Sequence, residues 1–171
     1  MYSAVVGAIG ALRGPLHGGA NEAAMEAILE IGSPERAESW VMEKLAQKAR
    51  IMGFGHREYK TGDIRAVILK DWVRQLAEQT GRTDLYEIQN IMERVMLREK
   101  NLHPNVDFPA ATVYYMMGIP IPLYTPIFAA ARIVGWTAHV IEQHDDNRLI
   151  RPRSDYAGPR DLVFKPIDER E

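Results

Sequence analysis

Three short segments of this 171-residue sequence each set an ionisable side chain among glycines or prolines: GPLHGG with His17, GFGHREYKTGDIR with His56, and HPNVDF with Asp107. Glycines beside a histidine let the backbone come close to a ligand and leave the imidazole unshielded. Two imidazoles and a carboxylate suffice for general acid–base work on a carbon acid. The carboxylate takes a proton from carbon, and the imidazoles donate to oxygens on which negative charge develops. Each residue alone also has a plainer explanation. A glycine-flanked histidine is more often a structural loop residue, and Asp107 stands where it could simply cap the helix that follows. GFG is too short for a nucleotide fingerprint, and no strand pattern precedes it. His103 and His144 read as surface positions, and His139 as a hydrogen-bonded histidine of the core.

A His/His/Asp set invites a metal, but the sequence holds no HxxxH or HxxEH spacing, so no metal is expected. The arginines point elsewhere. Arg65 follows the His56 segment, Arg132 falls within an apolar stretch, and Arg151 and Arg153 bracket a proline. A guanidinium grips a carboxylate with two parallel hydrogen bonds, so a substrate with two carboxylates would call for two or three of them. Arg132 is the most informative, because an arginine on an apolar helix face is costly unless an anion meets it. Arg151 and Arg153 read equally well as solvated charges.

The elements that must hold these segments are helical throughout. Val5, Ile9 and Leu12 predict a helix over 2–13, and Ala24, Ile28 and Ile31 predict another over 21–31, closed by Gly32. Ser33 before Pro34 is a helix start, and the helix is expected to run to about Arg50. After a loop over 52–62, Asp63 caps a helix from Ile64, Gly81 closes it, and Thr83 is expected to cap the next. A second loop, a short helix to Met117, a long helix over 125–143 and a proline-rich, charged arm over 145–165 complete the chain. No strand pattern or repeat is visible, so the expected fold class is all-α.

Composition narrows the function classes. Twenty-one basic against twenty-three acidic residues give a net charge of −2, which speaks against a nucleic-acid surface. The absence of cysteine removes disulfides, thiolate metal sites and a cysteine nucleophile, and suits a cytoplasmic protein. The most apolar run, 116–131, carries three prolines and stops at Arg132, so it makes a poor membrane span.

Taken together and in this order, GPLHGGAN, GFGHREYKTGDIR, NLHPNVDF and the Arg132 helix resemble citrate synthases and 2-methylcitrate synthases, from Met1 to about Pro159. The resemblance implies that His17 stabilises the enolate of an acyl thioester, that His56 polarises the ketone of oxaloacetate, and that Asp107 is the base. It implies Arg65 and Arg132 as clamps on the oxaloacetate carboxylates, with Phe128 packed beside the substrate. Arg151 resembles an arginine that the family lends across a homodimer. Gly53, Phe54, Gly55 and Lys60 resemble the segment that holds the coenzyme A end. Acyl-CoA is then a co-substrate, and no permanently bound cofactor is implied.

The same resemblance implies a small domain over 18–111, with 1–17 and 112–171 belonging to a large domain. The family's large domain begins earlier and carries a further oxaloacetate-binding histidine. The expectation is therefore a citrate synthase-type acyltransferase, with propionyl-CoA as the alternative to acetyl-CoA. A non-catalytic helical module that needs a companion chain is the rival. Two departures are visible: Ile64 stands where a proline is usual before Arg65, and His103 where the family commonly has an aromatic residue.

Overall fold

The computed structural model describes residues 1–14 and 16–170. Among the described residues seven α-helices follow one another: α1 (Tyr2–Leu12), α2 (Ala20–Ile31), α3 (Pro34–Ala46), α4 (Ile64–Thr80), α5 (Thr83–Lys100), α6 (Asp107–Met116) and α7 (Tyr124–Asp145). Among the described residues no strand forms. A single antiparallel bridge, Phe54 to Pro104, joins the two long loops.

The expected apolar spacing builds the core. On α2, Ala24, Met25, Ile28 and Ile31 share one face and are fully buried. They meet Trp40 and Val41 of α3, Leu85, Ile88, Met92 and Val95 of α5, and Phe108 and Ala111 of α6. Burying one such side chain contributes about 1.5–3 kcal/mol, so this four-helix cluster is the rigid base for the loops between its members. Helix α4 packs against α5 and α6 through Ala66, Val73 and Ala77. Helix α1 packs against α7, and Tyr124, at the start of α7, is buried with its hydroxyl donating to the Ala111 carbonyl at 3.2 Å.

Three local expectations need correction. Helix α3 ends at Ala46, four residues before Arg50. It closes as a Schellman turn: Ala49 N–H donates to the Lys44 carbonyl at 2.9 Å and Lys48 N–H to Leu45 at 3.1 Å. The left-handed residue of that turn is Lys48, with φ of 55°, where a glycine is usual. The turn aims the chain back so that Ile51 can join the core. Thr83 is the first residue of α5 and not its cap; Arg82 holds the cap position, its guanidinium forked onto Asp84 in the first turn at 2.9 and 3.0 Å. His139 is exposed, because α7 is covered on the side that meets α1 and the histidine lies elsewhere on the helix.

Candidate active site

Residues 16–19 turn the chain into α2. Gly18 is buried against the end of α1 so closely that a Cβ there would stand 1.9 Å from the Leu12 carbonyl oxygen. Only glycine fits, and the tight turn leaves His17 exposed at the mouth of a cleft. The same wall continues along α7, fixed by Thr125 in its first turn. Its single hydroxyl hydrogen is shared between the Gly18 carbonyl at 3.0 Å and the Glu22 carboxylate, which also accepts the Thr125 N–H at 3.2 Å. Thereby α7 is registered against the His17 turn. The Phe128 ring meets the His17 ring edge-on, with centroids 5.5 Å apart, and the Arg132 guanidinium carbon lies 4.9 Å from the Phe128 centroid.

The loops of His56 and Asp107 are zipped together. Gly55 N–H donates to the His103 carbonyl at 2.8 Å and Asn105 N–H to the Gly53 carbonyl at 2.9 Å. Gly53 has φ of 89° and sits where a Cβ would be 2.8 Å from Phe108 Cβ, so neither the backbone conformation nor the space admits a side chain. Asp107 opens α6, but it does not cap it. Its N–H donates to Asn105 Oδ1 at 3.0 Å, and Asn21 Nδ2 donates to its carbonyl at 2.7 Å. Among the described residues the Asp107 carboxylate takes no hydrogen bond or ion pair. Burial pushes its carboxyl above the usual carboxylate range, and the nearby charges of His17 and Arg65 pull it back without undoing the shift.

His56 is folded over its own loop. Its Nδ1 accepts the N–H of Glu58 at 3.0 Å and of Tyr59 at 3.2 Å, which leaves the ring hydrogen on Nε2. Lys60 Nζ donates to the His56 carbonyl at 2.9 Å. Asp63 caps α4 by accepting the Arg65 N–H at 3.0 Å, and the same carboxylate grips the Arg65 Nε and Nη2 at 3.0 and 2.7 Å. Those bonds hold the Asp63 carboxyl below the usual aspartate range. Arg65 Nη1 stays outside this fork and is available to a second anion.

One cleft of about 770 Å³ gathers His17, His56, Asp107, Arg65, Arg132 and Phe128, with Gly53, Phe54 and Gly55 in its wall. Lys60 and Arg151 do not line it. Lys60 is spent on the His56 carbonyl, and Arg151 lies exposed in the C-terminal arm. Three cations that sequence reasoning passed over, Arg50, Arg57 and Lys100, line the same cleft. Nothing in their spacing marks them, since each lies in a charged surface stretch and only the turn after α3 and the end of α5 bring them together. Among the described residues no three His, Asp or Glu side chains converge as a metal site. Nor is any helix of those residues long and apolar enough to cross a membrane.

The cleft thus joins two loop imidazoles, a half-buried carboxylate and arginines on opposite walls within an all-helical frame. The sequence matches the family described as citrate synthase, C-terminal domain, over residues 1–153, and the chain belongs to the citrate synthase family. It is 53% identical over 170 residues to citrate synthase 2 of Bacillus subtilis, covering 99% of this chain and 46% of that protein. It is 47% identical over 169 residues to 2-methylcitrate synthase 1 of Corynebacterium glutamicum, covering 99% of this chain and 44% of that protein. The chain thus spans about half the length of the curated relatives it matches. It superposes with a TM-score of 0.91 on the ternary complex of Thermoplasma acidophilum citrate synthase with carboxymethyl coenzyme A and oxaloacetate, at 42% identity over 99% of this chain and 47% of that one.

Proposed function

We propose that this chain carries the substrate cleft of a citrate synthase-type acyltransferase, which condenses acetyl-CoA with oxaloacetate and releases citrate and coenzyme A. The observation that supports it is the convergence of His17, His56 and Asp107 with Arg65 and Arg132 in one cleft. Asp107 takes a proton from the carbon next to the thioester carbonyl, while His17 donates to the oxygen that becomes the enolate. The nucleophilic carbon then forms a bond to the ketone carbon of oxaloacetate, and His56 gives its Nε2 hydrogen to the ketone oxygen. Water finally cleaves the thioester, leaving a carboxylate and a free thiol. A base shifted upward by burial suits the first step, because a stronger base abstracts the weakly acidic proton more readily.

The two oxaloacetate carboxylates fall to Arg65 through Nη1 and to Arg132, with Phe128 beside them. The phosphates of coenzyme A fall to Arg50, Arg57 and Lys100, and the backbone over Gly53, Phe54 and Gly55 lies along its chain. This assignment replaces Lys60, whose ammonium serves the loop. No permanently bound cofactor is needed, and acyl-CoA acts as co-substrate. The active assembly is a homodimer in which the C-terminal arm carries Arg151 toward the partner. Segment 18–111 acts as the small domain against 1–17 and 112–171. Condensation of acetyl-CoA with oxaloacetate would give the protein a place in the tricarboxylic acid cycle, and a cysteine-free sequence is in keeping with a cytoplasmic location.

The test is thiol release with oxaloacetate and either acetyl-CoA or propionyl-CoA, on the chain alone and joined to the N-terminal part of a relative. Release with acetyl-CoA at the higher kcat/KM supports the proposal. Preference for propionyl-CoA moves the assignment to 2-methylcitrate synthesis, and no release from the joined protein with either thioester overturns it.

A further inference from the structure

Each imidazole of the cleft shares an aromatic ring with an arginine. On one wall, Phe128 takes His17 edge-on and lies beneath Arg132. On the other, the His56 ring stacks on Tyr59 with centroids 4.3 Å apart and an interplanar angle of 21°, and the Arg65 guanidinium carbon lies 5.4 Å from the Tyr59 centroid. Phe128 borders the cleft itself. Tyr59 does not: it is 47% exposed and stands behind the two groups it touches.

The contacts restrict different freedoms. An imidazole can turn about its Cβ–Cγ bond, and a half-turn exchanges Nδ1 for a carbon. The N–H groups of Glu58 and Tyr59 fix which nitrogen points into the loop, and the Tyr59 ring fixes the plane. Arg65 is gripped along its Nε/Nη2 edge by Asp63, a contact that still lets the guanidinium tilt. The Tyr59 ring face lies where it limits that tilt. Among the described residues the Tyr59 hydroxyl takes no hydrogen bond, so the ring and the backbone N–H carry the effect.

We propose that Tyr59 is a positioning residue that holds His56 Nε2–H and the open edge of Arg65 in one fixed relation, so that the ketone and a carboxylate of a 2-oxo acid are met together. What the pair binds rests on the function proposed above; its geometry does not. Tyr59→Phe retains the platform, and Tyr59→Leu removes it. Because the side chain is half exposed and outside the core, neither change is expected to alter the fold, which thermal melting checks.

Two measurements test the proposal. Nitrogen NMR of the imidazoles, on the chain itself, should give His56 one tautomer with hydrogen on Nε2 and a ring-current shift, unchanged in Tyr59→Phe. In Tyr59→Leu the shift disappears and nitrogen relaxation reports a freer ring plane, while the backbone N–H groups of residues 58 and 59 still keep the hydrogen on Nε2. In the joined enzyme, Tyr59→Leu should raise KM for oxaloacetate and lower kcat, each by about tenfold, with KM for acyl-CoA within about twofold of wild type and Tyr59→Phe close to wild type. A wild-type His56 spectrum or an unchanged oxaloacetate KM in Tyr59→Leu overturns the proposal. Should the spectrum respond while the unmutated joined enzyme releases no thiol, the positioning stands and the condensation is what fails.

Discussion

Asn105 donates its side-chain amide to the carbonyl of Gly55 at 3.0 Å, across fifty residues of sequence. Its side-chain oxygen meanwhile accepts the Asp107 N–H. One asparagine therefore sets the spacing between the loop of His56 and the first turn of α6, and so between the two groups expected to flank the forming carbon–carbon bond.

Asn105→Ala is expected to leave a part-buried carbonyl and N–H without partners, at a cost of about 1–3 kcal/mol. For a chain of this size that lowers Tm by about 2–4 °C per kcal/mol. Asn105→Asp keeps the acceptor for Asp107 N–H but loses the donor to Gly55, so it should fall between the two. Calorimetric melting of the three proteins at neutral pH checks the order.

Asp63 joins a helix cap to an ion pair, and its carboxyl is held below the usual aspartate range by the hydrogen bonds from Arg65. A depressed carboxylate contributes stability that is present above its unfolded pKa and is lost as pH falls through its folded one. Asp63→Asn should therefore melt below wild type at pH 7, by a few degrees, with the gap closing as the pH is lowered below about 4, the ordinary aspartate value. Melting curves that stay parallel down to acid pH would show that Asp63 acts through shape alone.

Much of this was legible in the sequence, and the parts that were not share a cause. Helices α2, α4 and α5 could be read because their apolar residues repeat at the helical period on one face, and glycines mark where α2 and α4 end. His17, His56 and Asp107 stood out because glycine or proline beside an ionisable group is rare in a helix. The end of α3 was hidden because a lysine, and not a glycine, takes the left-handed position of its closing turn. Arg50, Arg57 and Lys100 were hidden because convergence is a tertiary fact that no local spacing encodes. Tyr59 was hidden for the same reason, since only the folded loop lays it under His56.

Gly18→Ala probes the turn that presents His17. The added methyl would overlap the Leu12 carbonyl oxygen, a backbone atom that cannot swing aside, so α1 or α2 must move. Overpacking of this kind costs about 1–3 kcal/mol. Because the Gly18 carbonyl is also the acceptor of the Thr125 hydroxyl, the displacement reaches α7. Activity of the joined enzyme should fall by more than the loss of Tm accounts for, and Gly14→Ala, where a Cβ has only a 3.7 Å neighbour, is the control.

Helices α1 and α7 pack together yet leave Tyr2, Val6, Val134 and Ile141 facing outward, 89%, 69%, 71% and 55% exposed. Apolar patches above a few hundred Å² are rare on monomers. The expected outcome of light scattering at micromolar concentration is twice the chain mass. Val6→Glu with Val134→Glu should return the mass to that of one chain, and a monodisperse monomer without those changes would refute the pairing.

Asp107→Asn removes the base while keeping size and shape, and its two effects should have opposite signs. Turnover of the joined enzyme should fall by at least about a hundredfold, since general base catalysis contributes on the order of 10²–10⁴, while KM for oxaloacetate stays near wild type. Stability should rise. Burial raises the Asp107 carboxyl above its ordinary range, and a raised carboxyl contributes stability below its unfolded pKa that is lost as pH climbs through the folded one. Ionising the wild-type carboxyl therefore carries a burial cost that asparagine does not bear, and the variant should melt higher than wild type at neutral pH. The advantage should shrink as the pH is lowered through the acid range and the wild-type carboxyl takes up its proton. Calorimetry across that range reads it directly, and an Asp107→Asn protein that is less stable at pH 7 would mean that the carboxylate is a structural partner and not a strained base.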